Sequence, residues 1–143
     1  MSEDNTNTKI CFFIPGAPPT VTHQEKRMVM GKDGKPHMYE PPEIKIVKDK
    51  FCGQLQYTKR MFGPAEKITG PVRLTTKWIW PELRSGDGYV WKTTKPDTDN
   101  LIKIFKDCMT KVGYWKDDAL VVSEITEKMR GPVPGISVKV EIL

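Results

Sequence analysis

The sequence predicts an α+β fold, with a mixed β-sheet of about four strands and two main helices in the order β-α-β-α-β-β. Two segments carry apolar residues at the spacing of a helix, and four shorter segments have the composition or alternation of strands. The 143 residues contain no internal repeat, low-complexity tract or linker. We therefore expect a single domain over residues 1–143.

The first forty residues contain one predicted strand and one segment of undecided structure. Lys9 to Ile14 has strand composition, and the Pro- and Gly-rich segment 15–19 stops it. The polar residues 1–8 before it are expected to be flexible. The pattern over residues 20–42 is irregular around a Gly-Lys-Asp-Gly turn signal, which fits either a basic loop or a small hairpin.

Two amphipathic patterns predict the helices. Glu43 to Phe62 has apolar residues on one helical face, follows a pair of prolines and ends at Gly63. The second helix is predicted from Asn100 to Val112, where Gly113 ends it.

The remaining strands follow from alternation and composition. Val72 to Trp80 alternates apolar and polar residues, as expected of a half-buried strand. Leu120 to Met129 has strand composition, and Ile136 to Ile142 alternates again. Because a short Gly- and Pro-containing turn joins these last two strands, we expect them to pair as an antiparallel hairpin.

The composition indicates a basic protein of a reducing compartment. The chain has 23 Lys and Arg residues against 18 Asp and Glu, a formal net charge of +5. A basic surface around an acidic pocket suits a polyanionic substrate, although charge alone equally fits a role in solubility. Three distant cysteines without a Cys-x-x-Cys pair argue against a disulfide framework or a structural zinc site. With no signal-peptide pattern and no apolar run near the ~20 residues that cross a bilayer, we expect a cytoplasmic protein without a membrane partner.

Four aspartates in two groups form the candidate site. The Lys-Pro sequence before the first group favours an extended backbone, which would place Asp97 and Asp99 on one face. Lys103 follows one helical turn after Asp99, within reach of the same point. Asp117 and Asp118 stand directly before the strand 120–129. Carboxylates gathered at the ends of such elements are suited to binding a metal ion.

Each group also has an ordinary structural explanation. Asp99 or Asn100 would cap the helix, and Asp99 with Lys103 would form a weak i,i+4 ion pair. Asp117 and Asp118 would form a polar turn. These explanations together leave Asp97 without a role, which favours the metal site.

The spacing of these residues resembles the RusA family of Holliday-junction resolvases. The resemblance rests on two motifs separated by a helix, Lys95-Pro96-Asp97-x-Asp99-Asn100-Leu101-x-Lys103 and Tyr114-Trp115-x-Asp117-Asp118-x-x-Val121. Ile14-Pro15-Gly16 and Glu127-Lys128 extend it over nearly the whole chain in layout. The segment after Gly16 departs from the family pattern, because closely spaced basic residues do not follow it.

The resemblance implies a RusA-like fold and roles for particular residues. Asp97, Asp99 and Asp118 match the metal-binding aspartates, Asp117 is an additional candidate ligand, and Lys103 matches the catalytic lysine. The candidate catalytic residues are thus Asp97, Asp99, Asp118 and Lys103. The resemblance also implies Mg²⁺ as the cofactor, with Mn²⁺ as a substitute and no organic cofactor, and a homodimer acting on a DNA four-way junction.

Basic and aromatic side chains supply the candidate DNA contacts. Cations would bind phosphates, and an exposed tryptophan would stack on a base. The candidates are Lys26, Arg27, Arg84, Trp91, Lys92 and Lys128.

Phosphodiester hydrolysis requires an activated water and neutralisation of phosphoryl charge, which Mg²⁺ held by carboxylates provides. Taken with this chemistry, the resemblance implies a Mg²⁺-dependent endodeoxyribonuclease that resolves Holliday junctions by paired symmetric cuts in DNA recombination and repair. Two alternatives stay open. One is a nuclease of the same fold that acts on other branched or flap DNA, and the other is a non-catalytic DNA-binding protein with a structural acidic cluster.

Overall fold

The computed structural model describes residues 9–20, 27–39, 41–82 and 88–143, and contains a five-stranded mixed sheet packed against two helices. The strands are β1 (Lys9–Pro15), β2 (Arg27–Met30), β3 (Pro36–Tyr39), β4 (Val72–Pro81), β5 (Val90–Trp91), β6 (Val121–Gly131) and β7 (Gly135–Ile142). The helices are α1 (Pro42–Phe62) and α2 (Thr98–Val112), with a short 3₁₀ helix at Asp118–Leu120. The predicted class and the order β1, α1, β4, α2, β6, β7 are confirmed. The two-residue β5 adds a fifth strand to the sheet.

The predicted hairpin of the last two strands is wrong, because β4 lies between them. The sheet order is β1-β7-β4-β6-β5, with β4 parallel to β6 and antiparallel to β7. Three consecutive residues of β4, Trp78 to Trp80, are buried, and the middle of the sheet supplies that burial. The connection over 131–135 is long enough, since four Cα steps reach about 13 Å and two strand spacings measure about 10 Å.

The undecided segment after β1 contains a hairpin. Strands β2 and β3 pair antiparallel in a separate two-stranded sheet. The turn between them is closed by a hydrogen bond from the Gly31 N–H to the Lys35 carbonyl at 2.8 Å. Asp33 stabilises the same turn, because its Oδ1 accepts from the Lys35 N–H at 2.9 Å.

Trp78 lies at the centre of the core. Its ring packs edge-on against Phe51 of α1 and Phe105 of α2, with centroids 5.8 and 5.3 Å away. Because one indole contacts both helices, the helices cover the same face of the sheet. Within the described ranges, neither helix is long and apolar enough to span a bilayer.

Candidate functional site

Asp97 and Asp99 lie at the N-terminus of α2. Asp97 is extended (φ −74°, ψ 149°) and is the last residue before the helix, whereas Asp99 belongs to the first turn. The helix begins at Thr98, two residues earlier than predicted, so the expectation that both aspartates share one extended segment is wrong. A carboxylate in the first turn is favoured by the positive end of the helix dipole, which accounts for the early start.

Among the residues that the structure describes, the Asp97 and Asp99 carboxylates have no ordinary structural partner. Asp97 makes no side-chain capping bond. The ion pair of Asp99 with Lys103 is absent from the ion pairs of the described residues, and all three side chains are exposed. The cap and the i,i+4 pair that would explain these residues structurally are therefore not formed, and their charges face solvent.

Lys128 of β6 holds the loop that leads to Asp97. Its Nζ donates to the carbonyl oxygens of Thr94 and Pro96, each at 2.7 Å. The second of these carbonyls belongs to the residue immediately before Asp97. The position of the first acidic group thus depends on a cation from the neighbouring strand.

Lys92 contacts the same loop from a buried position. Its Nζ donates to Thr94 Oγ1 at 2.7 Å and lies 5.2 Å from the centroid of the Trp80 ring. The side chain is 8% exposed. Burial, together with the nearby charges of Arg130 and Lys128, lowers the pKa of Lys92 from its usual value. In this arrangement the ammonium group is not presented to DNA.

Buried aromatic residues position the second acidic group. Tyr114 and Trp115 are both 0% exposed. The Tyr114 hydroxyl lies 2.5 Å from Thr58 Oγ1 and donates to the Leu55 carbonyl at 3.2 Å, while Trp115 Nε1 donates to Thr110 Oγ1 at 2.7 Å. The chain therefore enters the acidic pair from two buried, hydrogen-bonded aromatic residues.

The two adjacent aspartates differ in their local roles. Asp117 precedes the 3₁₀ helix and its Oδ1 accepts from the Ala119 N–H at 2.9 Å, so one of its oxygens is used as a cap. Asp118 is the first residue of that helix, and the described residues offer its carboxylate no hydrogen bond or ion pair. Of the pair, Asp118 is the side chain left free for a ligand.

Helix α2 connects the two acidic groups. It packs against β6 and against the 3₁₀ helix, and Lys106 Nζ lies 2.8 Å from Glu124 Oε1 of β6. However, among the residues that the structure describes, no three His, Cys, Asp or Glu side chains are grouped to hold a metal ion. The carboxylate oxygens have the donor chemistry that Mg²⁺ prefers, but they are not assembled into a cage.

The other candidate DNA contacts have different outcomes. Trp91 on β5 is 67% exposed and is available for stacking. Arg27 lies in β2, where only its backbone is described. Lys26 and Arg84 lie outside the described residues.

Sequence reasoning missed the role of Thr94, which receives one hydrogen bond from Lys92 and another from Lys128. The two-residue period of strand β6 is the sequence signal that could have indicated this contact. Alternate residues of this strand face the helices, so that Glu124 reaches α2 and Lys128 reaches the loop before it.

Comparisons with known proteins identify the family of the chain. A family model described as "Endodeoxyribonuclease RusA" matches residues 15–141. A protein of Lactococcus phage r1t named crossover junction endodeoxyribonuclease rusA is 36% identical over 52 residues, which cover 36% of this chain and 40% of that protein. The uncharacterized protein YqaN of Bacillus subtilis (strain 168) is 30% identical over 120 residues, 76% of this chain and 81% of its own length. The family match includes every candidate catalytic residue and both lysines that hold the loop.

Proposed function

Because the chain belongs to the RusA family of endodeoxyribonucleases, we propose that it is a Mg²⁺-dependent nuclease that resolves Holliday junctions. The observation that supports this most is that the described residues offer the carboxylates of Asp97, Asp99 and Asp118 no hydrogen bond or ion pair. These carboxylates have the family spacing, Asp97 and Asp99 are exposed and Asp118 is half-buried, so they could bind a cation while the exposed Lys103 binds a phosphate.

The proposed metal ligands are Asp97, Asp99 and Asp118, with Asp117 as an additional candidate through the oxygen that does not cap Ala119. When bound, Mg²⁺ would neutralise phosphoryl charge and lower the pKa of a coordinated water. Mn²⁺, which accepts the same oxygen ligands, would substitute. Uncompensated carboxylates repel each other, so the cation itself would draw the three side chains together. No organic cofactor is proposed.

Lys103 would act on the phosphate rather than on the protein. It is exposed one turn after Asp99 and makes no ion pair with the described residues. A free ammonium beside the metal would stabilise negative charge in the transition state or orient the attacking water.

A homodimer would match the two-fold symmetry of a four-way junction. A four-way junction requires two cuts at symmetric positions, and one site of this kind makes one cut. Two copies of a single nuclease domain over 1–143, related by a two-fold axis, would present two sites to a two-fold substrate. We place this activity in cytoplasmic DNA recombination and repair.

The proposal is tested with labelled four-way junctions, flaps and linear duplexes, each incubated with Mg²⁺ and with chelator. The proposal predicts paired symmetric nicks near the crossover that require the metal. Preference for flaps would instead support a nuclease for other branched DNA. Binding without cleavage under any divalent cation would leave a non-catalytic DNA-binding protein.

A further inference from the structure

The side chain of Lys128 reaches across the helix-covered face of the sheet to the acidic loop. Lys128 is the register partner of Trp78, whose side chain forms the core. Its ammonium donates to two carbonyl oxygens of one short segment, those of Thr94 and Pro96, each at 2.7 Å. A single cation thereby fixes the direction of the backbone just before Asp97.

The segment 92–96 has a backbone bond to β6 and a side-chain bond within itself. The Lys92 N–H donates to the Lys128 carbonyl at 3.1 Å, and the Lys92 ammonium donates to Thr94 Oγ1 at 2.7 Å. We call the contacts of Lys92 and Lys128 with this segment the lysine clamp. Asp97 makes no side-chain capping bond, and among the described residues the clamp restrains the backbone that leads into it.

The partners of the Lys128 ammonium are backbone oxygens. It donates to the carbonyl of Pro96, close to the N-terminus of α2. Within the described ranges, no Asp or Glu forms an ion pair with Lys128. Its charge is therefore held one residue before Asp97 without being paired to it, where a cation reduces the repulsion between neighbouring carboxylates.

We propose that Lys128 is a positioning residue that holds the Thr94–Pro96 backbone so that Asp97 points to the metal, and that it does not contact DNA. The proposal rests on the function proposed above, in which Asp97 is a metal ligand. Outer-shell partners of metal ligands act in this manner, because they orient the ligand before the ion arrives.

The test compares Lys128→Met with a matched control, Lys77→Met, which changes an exposed lysine on the opposite face of the same sheet. Hydrogen exchange of the Leu101 and Ile102 amides, in the first turn of α2, reports on the loop in metal-free protein. Electron paramagnetic resonance of Mn²⁺ measures metal affinity without any cleavage. Junction binding in chelator, over a series of salt concentrations, detects any phosphate contact.

Lys128→Met should accelerate exchange of the first-turn amides and weaken Mn²⁺ binding by about 10- to 100-fold. Junction affinity in chelator and its salt dependence should stay at the wild-type values. Lys128→Arg, which retains the charge and the N–H donors, should fall between wild type and Lys128→Met in both readouts, and it carries the test if Lys128→Met does not fold.

Unchanged exchange and Mn²⁺ affinity in Lys128→Met would overturn the inference. So would weaker junction binding with a salt slope reduced by about 1, which is the signature of a lost phosphate contact. Failure of the proposed function can be distinguished from failure of this inference. If the proposed function is wrong, the wild-type protein will not cut junctions, but hydrogen exchange will still show whether Lys128 restrains the loop.

Discussion

The two acidic groups of the site are held by different kinds of contact. The segment before Asp97 is held by ammonium groups that donate to a hydroxyl and to backbone carbonyls. The segment before Asp118 is held by two aromatic side chains that are fully buried in the core. The first attachment is polar and partly exposed, whereas the second is part of the hydrophobic core.

Because of this difference, the two segments of the site should contribute very differently to the free energy of unfolding. Contacts of charged groups near the surface contribute little net free energy, so the loop before Asp97 can change position without unfolding the protein. Burial of a large aromatic side chain contributes several kcal/mol, so the segment before Asp118 moves only when the core does. The clamp before Asp97 can therefore be weakened by substitution with little loss of global stability.

The largest expected effect is loss of cleavage, and it should be the same for both acidic groups. Although their segments are held differently, each group must supply a metal ligand. Asp99→Asn and Asp118→Asn should each reduce junction cleavage by more than about 100-fold, beyond the usual loss from outer-shell partners. Junction binding in chelator should be retained or tightened, because no basic contact is removed. Single-turnover cleavage and gel-shift titration measure the two quantities.

The matched control for these two variants is Asp107→Asn, which removes a carboxylate from the last half of α2. It should cut at the wild-type rate. Normal cleavage by Asp99→Asn would show that the metal site has been assigned to the wrong residues.

Trp115→Ala tests the buried half. Removing a fully buried indole and its bond to Thr110 should lower the free energy of unfolding by about 3–5 kcal/mol. Urea denaturation followed by circular dichroism gives this value. A loss below about 1 kcal/mol would mean that the segment before Asp118 is not held by the core.

Tyr114→Phe tests the buried segment before Asp118 with a smaller change. It removes one hydroxyl while Thr58 Oγ1 still donates to the Leu55 carbonyl at 3.1 Å, so the expected loss is about 1 kcal/mol. Cleavage at 25 °C should be unaffected, because the position of Asp118 is retained. A large loss of cleavage with intact stability would contradict a purely structural role of this hydroxyl.

The buried Tyr114 hydroxyl should also make the stability of the protein depend on pH. Burial raises the pKa of Tyr114 from 10.0 to about 12. Since the unfolded chain then releases this proton first, stability should fall as the pH rises from about 10 to 12, and it should be unaffected by this group below that range. Urea titrations at several alkaline pH values should give a shallower decline for Tyr114→Phe. Equal declines in the two proteins would show that another group controls the alkaline transition.

The smallest effect distinguishes the two neighbouring aspartates. Asp117→Ala should cost about 1 kcal/mol through loss of the cap on Ala119, and Asp117→Asn, which keeps an acceptor oxygen, should cost less. Asp117→Asn should also reduce cleavage less than Asp118→Asn does. Thermal melts and the cleavage assay check the two statements, and equal cleavage defects would make Asp117 a full ligand.

Local sequence patterns predicted the helices and strands, whereas the order of the strands in the sheet depends on contacts between distant parts of the chain. The helix spacing and Gly113 predicted the C-terminal end of α2 at Val112 and its start within two residues, because these signals act within a few residues of the chain. The placement of β4 between β6 and β7 depends on which strand is most buried, and a turn sequence does not contain that information. The short β5 has too few residues to show a period.

The same limit applies to the site. The resemblance to a family singled out Asp97, Asp99 and Asp118, and the structure places them at element ends as expected. The burial of Lys92 and the attachment of Lys128 to two carbonyls were not predictable, because a long flexible side chain on a strand can reach solvent or the protein. Only the three-dimensional arrangement shows which of these occurs.

We propose that aspartates from two differently anchored segments bind the same cation. A crystal structure of the protein with Mn²⁺, in which anomalous scattering locates the metal, is the direct test. We expect a peak within about 2.2 Å of carboxylate oxygens from Asp97, Asp99 and Asp118. A peak bound by only one of the two segments, or no peak at a saturating Mn²⁺ concentration, would contradict it.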